Sequence, residues 1–302
     1  MIYQIIKRRN IFLSLAGAAM IASICALFFW GLNFGIDFTG GSLLEVEYKN
    51  YRPSITEVQD SLKSADLHNL IIQPTNNSLI LRFKENTELA HQTALEKLRS
   101  LVKDKKDVTF RELQFNAVGP SIGEELKSKS FNATAIVFVM IIVFISFAFR
   151  RVSKPVASWK YGVAAIIALI HDILFILGTF SVLGHFFGIE INTPFIAAVL
   201  TVLGYSVSDT IIVFDRIREN LPKSREDFEN TINSSINQTM TRSINTSLSS
   251  VLALLAVLFF GGDTIKDFAL ALIVGIFIGT YSSIFIASPV LVVWDKFTRN
   301  HK

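Results

Sequence analysis

The sequence predicts a polytopic α-helical membrane protein with six transmembrane helices and one small external α+β domain of ferredoxin-like pattern. Three observations carry this prediction. Six apolar runs approach the roughly 20 residues that cross a bilayer core, at residues 11–30, 131–149, 161–183, 191–214, 246–260 and 268–294. Lys and Arg crowd alternate flanks of these runs. The one long polar interval, residues 42–117, alternates strand-like and helix-like patterns. Hydrophobic residues make up 51% of the 302, a share that many soluble proteins reach. It is their segregation into runs, with a mean hydropathy of +0.45, that points to lipid.

Orientation follows from the basic residues in the short flanks. Lys7, Arg8 and Arg9 precede the first run, and Arg150, Arg151, Lys154 and Lys160 separate the second from the third. Arg216, Arg218, Lys223 and Arg225 follow the fourth, and Lys296, Arg299 and Lys302 follow the sixth. The opposite loops are GHFFGIE, with neither Lys nor Arg, and GGDTIKD, with only Lys266. Residues 1–10 and 295–302 are therefore expected in the cytoplasm and the long insertion outside. The net charge of +4 reflects this asymmetry and gives no reason to invoke nucleic acid. The first run follows a basic segment but is too long for a signal peptide and has no convincing cleavage site, so it reads as an anchor. The single cysteine, Cys25, lies inside that run. It excludes an internal disulfide and a cysteine metal site, and no other metal-ligand spacing or cofactor motif is present.

After the first span, FGIDFTGG offers Gly35, Asp37, Gly40 and Gly41. Glycines beside an acid at a membrane exit suggest a tight turn into a domain, a reading favoured over direct substrate contact. Residues 35–130 form the external domain and its connector. LLEVEY reads as a strand, and Ser54 with Glu57 forms a capping box that opens a short helix. NLIIQPT, a TNNS turn and LILRFK follow as two strands around a turn. Residues 88–102 read as a helix with Leu89, Leu95, Leu98 and Val102 on one side, and VTFRELQFNAV supplies the last strand. The order βαββαβ is the ferredoxin-like signature. No catalytic set is visible in it, and His68 and His91 read as solvated. In VGPSIGEELKSKS, Ser121 and Glu124 suggest a second capping box and a short interfacial helix.

Residues 131–294 form a five-helix transmembrane region. Its fourth span, TVLGYSVSDTIIVFDRIREN, holds Asp209. An acid inside a lipid-spanning segment costs about 2.5–3.5 kcal/mol on insertion scales, so its default reading is functional. Helical spacing puts the hydroxyls of Tyr205 and Ser206 on the same face, which suits proton transfer; a packing acid held by neighbouring hydroxyls is the plainer alternative. The third span carries His171 and a second acid, Asp172, on a mostly apolar face, so Asp172 needs a partner on another helix, either as a member of the proton relay with Asp209 and Arg242 or as a buried structural hydrogen bond. Arg242 opens the fifth span with polar residues at every helical neighbour. Asp209 precedes the charged break by six residues, about 9 Å of rise. An Asp209–Arg242 pair is expected at that depth, against the alternative of an arginine that snorkels to the interface. In the sixth span Ala271, Gly275, Gly279 and Ser283 recur every four residues, a close-packing stripe that fits an internal or a partner contact.

FGIDFTGG, VGPSIGEE, HDILFILG and GYSVSDTIIVFDRIREN, in this order and context, resemble the SecF family. Its members are subunits of the bacterial SecDF protein-export complex, within a resistance–nodulation–division-like superfamily. The resemblance covers essentially the whole chain; one departure is Ser208, where related sequences often carry Asn. It implies a multi-pass protein of the bacterial cytoplasmic (inner) membrane that is not an enzyme. Its partners would be a SecD-like subunit, the SecYEG channel, preprotein substrates, protons and membrane lipids. It implies proton-gradient-driven help to late preprotein translocation, with the family's intramembrane acid on Asp209, its arginine on Arg242, and its His–Asp pair at Asp172. A passive scaffold of the export channel, or an efflux-type transporter subunit, are the competing readings.

Overall fold

The computed structural model describes residues 3–75, 78–103, 105, 107–148 and 158–300. Arg150, Arg151, Lys154, Lys302 and the middle of the TNNS turn lie outside the described residues. In chain order the elements begin with α1 (Arg9–Trp30), a one-turn α2 (Ile36–Thr39), β1 (Gly41–Lys49) and α3 (Ile55–Leu62). Next come β2 (Ile71–Pro74), β3 (Ser78–Phe83), α4 (Glu88–Ser100) and β4 (Thr109–Val118). Then follow α5 (Pro120–Ala148), α6 (Ser158–Phe187), α7 (Thr193–Asn220), α8 (Phe228–Phe260), α9 (Asp263–Ser282) and α10 (Ser288–Asn300). A π-helical turn, Ser283–Ala287, joins α9 to α10. The chain divides into two compact units, Met1–Asn33 with Asn132–Lys302, and Phe34–Phe131.

The smaller unit carries a four-stranded sheet of order β2-β3-β1-β4, with every neighbouring pair antiparallel. This is the sheet that the βαββαβ pattern predicts. Alternation along β1 and β3 turns Leu44, Val46, Leu81 and Phe83 onto a core shared with Val58 and Leu62 of α3 and Ala94, Leu95 and Leu98 of α4. The Ser54 capping box forms as expected, with the Ser54 side chain accepting from the Glu57 N–H and the Glu57 carboxylate accepting from the Ser54 N–H. Two local expectations are corrected. Leu89 is exposed, and α4 buries Ala90 and His91 in its place. His91 is not solvated: its ring stacks on Phe115 of β4 and its Nε2 lies 2.9 Å from Glu112.

The FGIDFTGG stretch forms α2 and two glycines at φ +72° and +118°, Gly40 and Gly41, a region in which side chains are strained. Both also sit in close quarters. A Cβ on Gly40 would stand 2.8 Å from Pro120 Cα, one on Gly41 2.7 Å from the Phe83 carbonyl oxygen, and one on Gly123 2.9 Å from the Gly40 nitrogen. The two glycine-bearing motifs thus pack on one another. Pro120 begins α5, where a missing N–H costs nothing. Ser121 and Glu124 therefore lie inside its first turns, and one continuous helix replaces the expected short interfacial one.

Among the described residues six helical segments are long and apolar enough to span a membrane, the last running from Ile265 to Phe297 through the π turn. The fifth reaches back to Phe228, 33 residues in all, because the polar turns before its apolar half continue the same helix. α6, α7 and α9 form the interior, with Phe180, Phe195 and Phe214 fully buried. α5 exposes Ile136, Val139, Met140, Val143 and Phe144, and α8 exposes Leu248, Leu252 and Val257, the apolar surface that lipid requires. The small-residue stripe of α9 is an internal contact: a Cβ on Gly275 would meet Val202 of α7, and one on Gly279 would meet Ser206.

Candidate functional site

Among the described residues Asp172 and Asp209 form two separate carboxylate centres in the interior of the larger unit, and Asp295 of α10 is a third buried acid. Asp172 of α6 is fully buried. Its Oδ2 accepts from the Ser206 hydroxyl of α7 at 2.6 Å and from the Ser282 hydroxyl of α9 at 2.7 Å. Its Oδ1 lies 3.1 Å from His171 Nδ1. Three helices are tied at one side chain, and the partner that Asp172 needed on another helix proves to be two serines. His171 Nε2 is buried without a hydrogen-bond partner.

Asp209 of α7 is 6% exposed. Its Oδ1 accepts from the Ser243 hydroxyl of α8 at 2.6 Å, while Oδ2 is buried with no hydrogen-bond partner. Ser283, at the start of the π turn, lies beside this carboxylate and bonds Thr210 at 2.8 Å. The two centres share elements: α7 contributes Ser206 to one and Asp209 to the other, and the adjacent Ser282 and Ser283 reach one each.

Three expectations about side-chain partners differ from this arrangement. Ser206 serves Asp172 and not Asp209. Tyr205 turns its hydroxyl to Ser247 of α8 at 2.8 Å, and Ser247 in turn meets Thr280 of α9 at 2.5 Å. Spacing on one helix places residues on a common face, but each short side chain is claimed by whichever neighbouring helix that face meets. Arg242 is exposed and forms no ion pair with Asp209. It borders an open cleft of about 270 Å³ with Asp215, Arg216 and Glu219 at the charged end of α7.

The cause is the rotation of α8 about its axis. Ser235, Thr239, Ser243 and Ser247, spaced by four, are the buried stripe, because small hydroxyl residues let two backbones approach and still satisfy polar groups. Arg242 lies one residue, about 100°, off that stripe. The tetrad was present in the sequence as a signal, as was the Ser282–Ser283 pair; the charge of Arg242 drew attention to the neighbouring face. Gly35, Asp37, Gly40 and Gly41 belong to the turn of the smaller unit already described.

Chemically, the two acids differ. Both oxygens of Asp172 are engaged, Oδ2 by two serine hydroxyls and Oδ1 by the His171 ring. Asp209 has one donor on one oxygen and a second oxygen that is buried and bare, a place where a proton can be held and released.

Residues 97–297 match the family model of the C-terminal region of the protein-export membrane proteins SecD and SecF. Residues 26–50 match the model of the SecD/SecF GG motif, which covers the FGIDFTGG turn. The chain is 41% identical to a protein translocase subunit SecF of Thermobaculum terrenum over 306 residues, covering 97% of this chain and 94% of that one. It is 40% identical to the SecF of Anaerolinea thermophila, with the same coverage. Among solved structures it is similar to SecDF of Thermus thermophilus, described as a translocon-associated membrane protein, with a TM-score of 0.83 and 31% identity. That match covers 98% of this chain and 39% of the SecDF chain, so the chain spans about two fifths of the solved SecDF protein. A super-membrane-facing form of SecDF matches with a TM-score of 0.68.

Proposed function

Because the chain belongs to the SecF family of protein translocase subunits, we propose that it is the proton-carrying half of a SecDF-type export motor. In this reading it joins a SecD-like subunit in the bacterial inner membrane, with both termini cytoplasmic, and works beside the SecYEG channel. It uses the proton gradient to promote late preprotein translocation and catalyses no covalent reaction. The observation that carries the reading is the bare, buried Oδ2 of Asp209, opposite a single donor from Ser243. A fixed structural carboxylate would be expected to resemble Asp172, whose oxygens both have partners. Asp172 accordingly serves as the knot that holds α6, α7 and α9 while Asp209 titrates. A proton crossing 100 mV releases about 2.3 kcal/mol, enough to bias helix contacts of the kind seen around Asp209.

A SecD-like partner fits the surface of α7 and α8. Thr201, Gly204 and Ser208 of α7, with Arg242, Asn245, Thr246 and Ser249 of α8, are exposed within helices that must cross the bilayer. A polar stripe there is a poor lipid face and is satisfied by another subunit or by water. Arg242 on that stripe is then available to a group of the partner or, after a shift of α8, to ionised Asp209. The similar SecDF of Thermus thermophilus is a translocon-associated membrane protein, which supports placement beside the channel.

The test is Asp209→Asn in the reconstituted complex, with preprotein export measured with and without an imposed proton gradient. Loss of the gradient-dependent increment, with normal insertion and partner recovery, is expected. Export that still responds fully to the gradient would replace this reading with the passive scaffold.

A further inference from the structure

α9 and α10 are one membrane helix interrupted by five residues of π-helix, Ser283–Ala287. Such turns are rare, cluster at functional sites and persist only where local bonding holds them. Pro289 supplies one cause, since it has no N–H to offer the Phe285 carbonyl and the α register cannot continue through it. Ser288 adds a side-chain bond to the Ser283 carbonyl at 3.4 Å. The turn begins at Ser283, which lies beside the Asp209 carboxylate. Ser283 is fully buried; its hydroxyl has the Gly279 carbonyl at 2.9 Å and the Ser206 carbonyl at 3.4 Å as acceptors, shares a bond of 2.8 Å with the Thr210 hydroxyl, and has the Asp209 carboxylate beside it. Of the other titratable groups on the surrounding helices, Asp172 and His171 of α6 bond each other, Tyr281 of α9 donates to the Phe12 carbonyl, and Arg242 of α8 is exposed. Besides Ser243, Ser283 is the hydroxyl placed to answer a change at Asp209.

Resting on the reading of Asp209 as the proton carrier, we propose that Ser283 is a positioning residue for the proton step. Its hydroxyl turns from the Gly279 carbonyl to Asp209 Oδ2 when that oxygen loses its proton, and the π turn takes up the displacement and passes it to α10. No covalent bond is made or broken in Ser283; it keeps its own proton and changes only its acceptor. The proton itself leaves from Asp209 Oδ2 to solvent. The far end of α10 carries Lys296, which holds Glu229 of α8 at 2.5 Å, and Glu229 also holds Arg9 of α1 at 2.9 Å. A displacement of α10 therefore reaches the starts of two further helices.

The test compares Ser283→Ala, Ser283→Thr and Asp209→Asn in proteoliposomes holding the full complex, with gradient-dependent export measured across pH. A hydrogen bond to a charged group is worth about tenfold in equilibrium, so Ser283→Ala is expected to displace the pH midpoint by about one unit. Ser283→Thr, which keeps the hydroxyl, is expected to follow the wild type. Spin labels at Lys7 and Phe297, both exposed, add a readout independent of export: their separation should differ between wild type and Asp209→Asn, and the difference should vanish on the Ser283→Ala background. If Asp209→Asn abolishes gradient dependence while Ser283→Ala changes neither midpoint nor separation, the role of Ser283 is overturned and that of Asp209 stands. If Asp209→Asn retains gradient dependence, the reading beneath the inference fails first.

Discussion

Replacing Gly275 by Ala adds one methyl group at the point where α9 presses on α7. That Cβ would stand 2.2 Å from Val202 Cγ2, 2.7 Å from Cγ1 and 2.9 Å from Cβ. Carbon atoms rest at about 3.5–4.0 Å, so the helices must part by roughly 1 Å. Val202 cannot swing away, because a β-branched side chain in a helix is held near one rotamer and its Cβ is itself too close. Overpacking of this kind costs about 1–3 kcal/mol. Gly279 gives the control. Its added Cβ would meet Ser206 Cβ at 3.0 Å and Oγ at 3.4 Å, which a shift of a few tenths of an ångström relieves, so its cost should stay under about 1 kcal/mol. At about 2–4 °C per kcal/mol for a unit of this size, Gly275→Ala should lower the melting temperature by about 5 °C in detergent, followed by tryptophan fluorescence. Gly279→Ala should lower it less. Adding Val202→Ala to Gly275→Ala should recover part of the loss, since the two sites are in contact. Equal melting temperatures for both glycine variants, or the reverse order, would refute the internal-stripe argument.

Residues 41–118, made alone, should unfold cooperatively with mixed helix and strand signal, and Ser54→Ala should cost the first helix cap about 1 kcal/mol. The Ser54 backbone N–H, and then its hydroxyl, hold the Glu57 carboxyl below the usual range. A carboxyl lowered in the folded state contributes stability above its unfolded value near about 4.3 and loses it as pH falls, so Ser54→Ala, which removes the hydroxyl and keeps the backbone N–H, should flatten the acid side of the stability profile only in part. Orientation is checked with Lys84→Cys and Lys223→Cys in a Cys25→Ser background on intact cells; an impermeant thiol reagent should label the first only, and labelling of the second in sealed cells would reverse the topology.

What could be read before the fold was known divides along a physical line. Spans and acids were legible because hydropathy is local: Asp172 and Asp209 stand out within apolar runs whatever surrounds them. The partners of those acids were not, because they depend on how each helix is turned about its axis. A rotation of one residue exchanges Arg242 for Ser243 beside Asp209, and hands Ser206 to Asp172. That rotation is chosen by packing among α7, α8 and α9 and leaves only the faint mark of hydroxyls every four residues. The glycine stripe announced close approach but not against what; Val202 and Ser206 answer that only in three dimensions. In the smaller domain the strand order followed from the pattern, while His91 was misread because its burial comes from Phe115 and Glu112, more than twenty residues away along the chain.

The mutual fit of Gly40, Pro120 and Gly123 gives the smaller domain a doorway, where the incoming and outgoing strands of chain are already fastened together. A segment closed in this way is a cassette: the loop-closure entropy is met at the doorway, whatever hangs beyond it. Its length and even its fold can then be exchanged without asking anything new of the chain on either side. Substitutions inside the cassette are expected to be tolerated far more readily than any that prise the doorway apart, and the glycines, small as they are, set where a graft can be cut.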